Sequence, residues 1–327
     1  MGVLKIEPSE TMLGTRSPTS VLDTTYESKG RREKRKLFFE APLAMNLRDR
    51  LVCDKTVAWL AKDSSSRLEE LWLGPVFESS GTILSVIDRL PPSVTHLDLD
   101  LRNALHLLPE VMPILFSKTQ LTTLSVRLFG DVGAIELAKW IHRNPNLKRL
   151  DLRGNRIGSM GARAIANALS QCGHGLNHLN MSCNCILDAD MFSHLLATTD
   201  NLETLDLGFN WIGNAEILEI CKGLKKNRSL RELNVFGCQR ISDVGFQSLL
   251  DCIQTHNTSI HKIQLQAFGY RASRLKEEIN IWLGRNRSGR YLLQQEVPAG
   301  LWPLVFRKIG RKPDAIYYLL RQGGSRI

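Results

Sequence analysis

The sequence predicts an α/β solenoid in which short parallel strands line an inner face and helices line an outer face. Two observations support this prediction. A strand-like apolar motif recurs eight times along the 327 residues, and a stretch with helical periodicity follows it. Neither a short strand nor its helix can bury an apolar face alone, so neighbouring units must stack and share one core.

The strand motif has apolar residues at positions one, four, six and eleven and a polar residue at position nine. Its clearest copy consists of Leu147, Leu150, Leu152, Asn155 and Ile157. The eight copies begin at Leu68, Val94, Leu121, Leu147, Leu176, Leu202, Leu230 and Ile260. Successive starts lie 26 to 30 residues apart, which is at and just beyond the long end of the range for leucine-rich units.

The motif has a direct physical interpretation. Positions one, four and six point into the coil and the residues between them point outward, because side chains alternate along a strand. The chain then turns sharply and leaves backbone groups unpaired. The side-chain amides of Asn155, Asn184 and Asn210 can satisfy those groups. Cys238 holds the same position in its copy and can fill it as a small buried group.

The segments between the strands have the apolar spacing of amphipathic helices. Residues 161–170, 216–224 and 244–253 each place apolar side chains at i, i+3 and i+4, which gives one buried stripe. Each unit is therefore predicted to run from strand to turn to helix.

On these residues the chain resembles the ribonuclease-inhibitor class of leucine-rich-repeat proteins, over roughly residues 68–270. That class includes the inhibitor itself, Ran GTPase-activating proteins and the sensor arms of nucleotide-binding innate immune receptors. The resemblance implies a horseshoe with a parallel concave sheet, convex helices and a helical C-terminal cap. It also implies recognition of a macromolecule on the concave sheet and its loops.

Four regions are predicted along the chain. Residues 1–37 form a disordered basic tail, whose cluster at 29–36 is either a nuclear-import or nucleic-acid patch or a solvated linker. Residues 38–67 form an N-terminal cap with a helix near residues 55–61, and residues 68–270 form the repeats. Residues 271–327 form a basic helical cap, with helix faces at 275–283, 301–309 and 316–320, or alternatively a docking segment for a partner.

Charge is uneven along the chain, whose formal net charge is +10. Residues 1–50 carry 10 basic and 7 acidic residues, and residues 271–327 carry 12 and 4. The remaining 21 basic and 22 acidic residues leave the repeats nearly neutral. Because nucleic-acid binding favours a basic stripe, we do not expect it of the repeats. The basic tails keep it open as an alternative.

Cysteine usage favours a reducing compartment. The seven cysteines are odd in number and show no disulfide framework, and we find no secretory signal or membrane span. We expect a monomer in the cytoplasm, with a nuclear location as the alternative. The glycosylation triplets Asn227-Arg228-Ser229 and Asn257-Thr258-Ser259 are then chance matches.

The sequence contains no motif that predicts catalysis, and we expect no cofactor, no metal and no enzymatic activity. A phosphate loop and a nucleophile elbow are both missing. One group of residues that could hold zinc comprises Cys172, His174, His178, Cys183 and Cys185. Their positions in the repeat point the side chains in different directions, which argues against a zinc site.

Strand alternation predicts which side chains are exposed on the concave face, namely those at positions three, five and seven of each unit. From these positions and the neighbouring loop we select candidate partner-binding residues, because aromatic and arginine side chains are frequent at interface hot spots. The candidates are Trp72, Asp98, Asp100, Arg127, Arg149, Asp151, Arg153, Asp206, Trp211 and Phe236.

The favoured function is non-enzymatic binding of a partner protein on this face. The first alternative is regulation of a small GTPase, which would need an arginine such as Arg156 at the rim of the sheet. The second alternative is nucleic-acid binding through the basic tails.

Overall fold

The computed structural model describes residues 44–61, 67–128, 130–171 and 175–287. They form a single nine-stranded sheet in which the strands follow one another in sequence order, β1 to β9, and every neighbouring pair is parallel. The predicted α/β solenoid is therefore confirmed. In particular, the stretches that begin at Leu147, Leu176 and Leu202 form adjacent parallel strands.

Strands and helices alternate along the chain. The strands are β1 (Ala44–Leu47), β2 (Glu70–Leu73), β3 (His96–Asp100), β4 (Thr123–Arg127), β5 (Arg149–Asp151), β6 (His178–Asn180), β7 (Thr204–Asp206), β8 (Glu232–Asn234) and β9 (Lys262–Gln264). The helices are α1 (Asp54–Leu60), α2 (Ser80–Asp88), α3 (Leu108–Ser117), α4 (Gly130–Trp140), α5 (Ser159–Gln171), α6 (Asp190–Thr198), α7 (Asn214–Lys226), α8 (Asp243–Thr255) and α9 (Tyr270–Arg287). Short 3-10 turns at Leu105–Leu107 and Ile141–Arg143 adjoin α3 and α4.

One continuous core lies between the sheet and the helices. The strand leucines and the inner helix residues pack into a single buried cluster that runs from Val52 to Leu283. Each helix packs mainly on the helix before and the helix after it. The predicted helices at 161–170, 216–224, 244–253 and 275–283 are confirmed as parts of α5, α7, α8 and α9. No unit has a core of its own, as the stacking argument requires.

The asparagine ladder is also confirmed. The Asn184 amide oxygen accepts hydrogen bonds from the backbone N–H groups of Asn155 and Ile157, each at 3.0 Å. Its amide nitrogen donates to the carbonyl oxygen of Leu152 at 2.9 Å. All these partners belong to the preceding coil. Cys238 fills the equivalent place as predicted, because it is buried and its thiol donates to the Leu207 carbonyl at 3.4 Å.

A second row of buried asparagines lies at the opposite edge, where each helix leads into the next strand. Asn257 is fully buried, donates to the Leu224 carbonyl at 2.7 Å, and accepts from the backbone N–H groups of Ser259 and Ile260. Asn227 makes the equivalent bonds one coil earlier. The two Asn-x-Ser triplets that we interpreted as chance matches therefore have a structural cause, because the motif closes the turn into the next strand.

Residues 38–67 contain more than the single helix that was predicted. Helix α1 matches the expected helix, but β1 precedes it and pairs with β2 as a ninth strand of the sheet. The tail at 1–37 and the helices expected at 301–309 and 316–320 lie outside the described residues. Within the described part of the chain, no helix has the length and apolar character needed to cross a membrane.

The ladder predicts the effect of substituting Asn210. Its amide accepts from the Ile186 N–H at 3.1 Å and donates to the Met181 carbonyl at 2.9 Å. We expect Asn210→Ala to lower the free energy of unfolding by about 2–4 kcal/mol, because buried backbone groups lose their partners. Asn210→Cys should cost about half as much, since a thiol already donates from this position at Cys238. Urea unfolding followed by circular dichroism measures both values, and equal losses would contradict the ladder argument.

Candidate functional site

The face of the sheet opposite the helices carries the predicted rows of side chains. Pairing between strands places position three of each unit beside position three of the next, so that Glu70, His96 and Thr123 are neighbours. The same holds for position five, where Asp151 pairs with Asn180 and Asn180 with Asp206. We call this surface the open face. The pairing of the strands therefore aligns the residues at positions three and five in rows across the open face.

Two candidates are not exposed as the sequence predicted. Asp98 is only 8% and Asp100 only 2% exposed. The Arg48 guanidinium donates to Asp98 at 2.6 Å, and Arg102 donates to Asp100 at 2.7 Å. Arg127, itself a candidate, also contacts Asp100 at 3.4 Å. Strand alternation correctly placed both carboxylates on the open face, but it could not show that neighbouring arginines cover them.

The arginines determine the protonation state of Asp100. Burial acts to raise its pKa, but hydrogen bonds from Arg102 and the positive charges of Arg102 and Arg127 outweigh burial, so the pKa is lowered. The carboxylate therefore remains ionised well into the acid range. Asp100 holds these arginines in place and offers little surface to a partner.

Position five of several units has a role within the backbone. An oxygen of Asp151 accepts a hydrogen bond from the Arg153 N–H at 2.9 Å, and an oxygen of Asp206 accepts from the Gly208 N–H at 2.9 Å. Asn180 and Asn234 make the same bond two residues ahead. Such turns are stabilised by short polar side chains. The recurrence of Asp and Asn at position five therefore has a structural cause in addition to any role in binding.

Arg149 and Arg153 differ from these carboxylates because both side chains are exposed. Neither forms an ion pair with any of the residues that the structure describes. Arg149 also acts on its neighbour His178, whose pKa is lowered by burial and by the Arg149 charge. Two positive charges on β5 and in the turn after it are thus available on the open face.

Exposed aromatic side chains follow the last three strands. Trp211 and Phe236, which the sequence identified, are 57% and 38% exposed. Phe209 is 54% exposed and meets Phe236 edge to face, with ring centroids 5.6 Å apart. Phe268 and Tyr270 extend the group beyond β9. We call these five residues the aromatic cluster. Trp72, the remaining aromatic candidate, is half-buried on β2.

Phe209 occupies an unfavourable backbone conformation. Its φ is 53°, in the left-handed region, and the equivalent residues before Asn155 and Cys238 are the glycines Gly154 and Gly237. A non-glycine residue there costs roughly 1–2 kcal/mol. Its ring lies over Gly237, where a Cβ atom would stand 2.5 Å from Phe209 Cδ1. The sequence carries a signal for this feature, because Gly154, Cys183 and Gly237 stand at the same position eight in the surrounding coils.

No cluster of three or more potential metal ligands is found within the described residues. Cys183 and Cys185 are free thiols, while Cys172 and His174 of the suggested zinc group lie outside the described residues. A small cavity under the helices is lined by Thr199 and four leucines, which provide no catalytic group.

Comparison with known proteins agrees with this geometry. A family model described as "Leucine Rich repeat" matches residues 143–166, 201–215 and 226–250, which include β5, β7 and β8. The ribonuclease inhibitor of Sus scrofa is 30% identical over 137 residues, which are 41% of this chain and 29% of the inhibitor. The chain therefore carries leucine-rich repeats and is similar to proteins of the ribonuclease-inhibitor type.

Other relatives carry the same repeats within longer chains. The NACHT, LRR and PYD domains-containing protein 5 of Mus musculus is 31% identical over 113 residues, which are 33% of this chain and 10% of that protein. The Protein TORNADO 1 of Arabidopsis thaliana is 26% identical over 188 residues, which are 52% and 13% of the two chains. The matched part of this leucine-rich-repeat chain thus spans less than a third of each of these three relatives.

Two solved structures resemble this leucine-rich-repeat chain. The leucine-rich repeat-containing protein LegL7 of Legionella pneumophila is 19% identical with a TM-score of 0.47, and the match covers 69% of this chain and 76% of that one. An internalin of Listeria monocytogenes is 13% identical with a TM-score of 0.39, and the match covers 68% of each chain. Neither likeness bears on function.

The Asp100 ion pairs predict a pH-dependent contribution to the stability of the repeats. We expect Asp100→Asn to lower the free energy of unfolding by about 1–3 kcal/mol at pH 7, because charge-assisted hydrogen bonds are lost. The folded pKa is depressed, so this stabilisation is present above the unfolded pKa of about 3.9 and is lost as pH falls through the folded value.

The difference between parent and Asp100→Asn should therefore shrink between pH 4 and pH 2. Urea unfolding midpoints across this range measure it, and Asp200→Asn, at an exposed aspartate, is the control. A difference that stays constant with pH would contradict the role assigned to the carboxylate.

The strain at Phe209 predicts that its ring contributes little to stability. We expect Phe209→Gly to change the free energy of unfolding by less than about 1 kcal/mol, because relief of the left-handed strain offsets the lost ring contacts. The fully buried Phe246 is the comparison, and Phe246→Ala should cost about 3–5 kcal/mol. Thermal and urea unfolding measure both, and a large loss in Phe209→Gly would mean that the ring belongs to the core.

Proposed function

We propose that the chain is a non-enzymatic scaffold that binds a partner protein on its open face. The observation that carries the proposal is the pair of exposed arginines, Arg149 and Arg153, beside carboxylates that are already hydrogen-bonded within the chain. A surface with available charges and adjoining aromatic side chains has the composition of protein interfaces.

The family supports the coarser part of this proposal. Leucine-rich-repeat proteins are generally protein-interaction modules. The relative from Sus scrofa is by name an inhibitor of a ribonuclease, which is itself a protein. Three expectations from the sequence stay predictions. They are regulation of a small GTPase, nucleic-acid binding by the tails, and a cytoplasmic or nuclear location.

The test of the proposal compares two faces of the same repeats. A photo-crosslinking amino acid is placed at His178 on the open face, or at the exposed Lys226 on α7 at the outer face. His178 pairs with Arg149 on the neighbouring strand β5, so a bound partner should cross-link there. In cells that naturally make the protein, we expect discrete protein adducts from the position on the open face and none from the outer position.

Charge reversal makes the test specific. Arg149→Glu with Arg153→Glu should weaken the partner's affinity about tenfold or more, whereas Lys225→Glu with Lys226→Glu on α7 should leave it unchanged. The arginines are preferable to Asp151 and Asp206, which also support the backbone. Equal binding by parent and Arg149→Glu/Arg153→Glu, or adducts formed from both faces alike, would refute the proposal.

A further inference from the structure

Exposed apolar side chains are concentrated at one edge of the solenoid. We call this the C-edge, meaning the loops that lead from the carboxyl end of each strand into the first turn of the next helix. Of the thirteen exposed large apolar side chains within the described residues, eleven lie at the C-edge. They are Leu51, Val76, Val132, Met160, Leu187, Phe209, Trp211, Phe236, Val244, Phe268 and Tyr270.

The rest of the described surface is different. The opposite edge, where helices lead into strands, exposes charged side chains such as Lys148, Arg228 and Arg231. The outer face of the helices exposes only two large apolar residues in the described ranges, Leu218 and Ile281. Single exposed apolar residues are normal, but a contiguous apolar surface indicates an interaction site. Folding does not require this asymmetry, because the core is filled by other residues.

The aromatic cluster is the densest part of the C-edge. Its five members follow β7, β8 and β9, and neighbouring strands lie about 4.8 Å apart. The cluster therefore covers three successive coils within about 10 Å along the sheet. Phe209 has the left-handed conformation of the ladder turn, as do Cys183 in the preceding coil and the glycines Gly154 and Gly237 in two others. Among these four positions, Phe209 alone places an aromatic ring on the surface.

Charge near the cluster favours an acidic ligand. Arg149 and Arg153 lie two to four strand spacings away, which corresponds to about 10–19 Å. Between them and the cluster, Asp151 and Asp206 each already accept a hydrogen bond within the chain. Neither arginine forms an ion pair with a described residue, so both can pair with acidic groups of a ligand.

We propose that the C-edge is a docking site for an acidic segment of a partner protein that carries a large apolar anchor. The anchor packs on the aromatic cluster and the acidic residues reach Arg149 and Arg153. The distance corresponds to about three to six residues of extended chain. The inference rests on the proposed function and adds the chemistry of the ligand and the place where it is anchored.

The probe for the test is a display library of random 12-residue peptides, selected on the full chain. The selected peptides are then measured on the parent and on the variant Phe209→Gly/Trp211→Ser. We expect most of them to carry net negative charge and at least one large apolar residue. Their affinity should fall roughly 30-fold in Phe209→Gly/Trp211→Ser, as for an interface hot spot. It should also fall in Tyr270→Ser, which changes the most exposed member of the cluster.

Two controls separate docking from folding and from general charge. Leu218→Ser removes an equally exposed apolar side chain from the outer face of α7 and should leave peptide affinity unchanged. Arg149→Ala/Arg153→Ala should weaken the same peptides and reduce the salt dependence of binding, since fewer charges are paired.

Several outcomes would overturn the inference. One is that no selected peptide depends on the cluster, and another is that the dependent peptides are basic. A dimer that sedimentation velocity detects in the parent and not in Phe209→Gly/Trp211→Ser would mean that the occupant is a second copy. Cluster-dependent binding of a labelled single-stranded oligonucleotide would mean that the occupant is a nucleic acid.

The same experiment distinguishes this inference from the proposed function. Peptides that depend on Arg149 and Arg153 but not on the cluster would leave binding on the open face intact and refute only the anchor. Peptides that bind the cluster variants and the arginine variants as tightly as the parent would contradict the inference and the proposed function alike.

Discussion

Backbone groups that the sharp turns bury need hydrogen-bond partners, and buried asparagines in two rows provide them. At one edge Asn184 binds the backbone of the coil before it, and at the other edge Asn257 does the same. Each amide both accepts and donates, so a coil without its neighbour would leave polar groups unsatisfied in the interior. These bonds hold successive coils at a fixed offset. The register of the strands, and with it every row on the open face, depends on that offset.

This dependence explains why the rows could be predicted from sequence. The motif gives the position of each strand, and the alternation of side chains gives the residues that face away from the core. Arg149, His178 and Thr204 therefore appear side by side as expected. The exposure of each side chain within a row cannot be predicted in this way, because it depends on long-range contacts that the sequence periodicity does not encode. Arg48 covers Asp98 from two coils away and 50 residues earlier in the chain, in a part where no strand had been predicted.

The features that sequence reasoning missed have two different causes. Strand β1 keeps the motif only in part, because Met45, Leu47 and Val52 hold its apolar positions but Arg50 stands in place of the asparagine, and pairing with β2 defines the strand. The second asparagine row was visible as a recurring Asn-x-Ser triplet before a strand. The same triplet is the glycosylation motif, and we interpreted it as a chance match to that motif. Phe209 was visible too, as the one aromatic residue at a position where the three surrounding coils have Gly154, Cys183 and Gly237.

The two edges of the solenoid show which properties come from the fold and which do not. Both edges must satisfy buried backbone groups, and both do so with asparagine. The fold imposes no further requirement that distinguishes them, yet eleven of the thirteen large exposed apolar side chains of the described residues lie at one edge. Apolar side chains in water add nothing to the stability of the chain that carries them, and at Phe209 the backbone is strained as well. Docking of a partner segment, as proposed, would account for the composition of the C-edge, and the stacked coils supply a rigid edge on which such contacts are spaced.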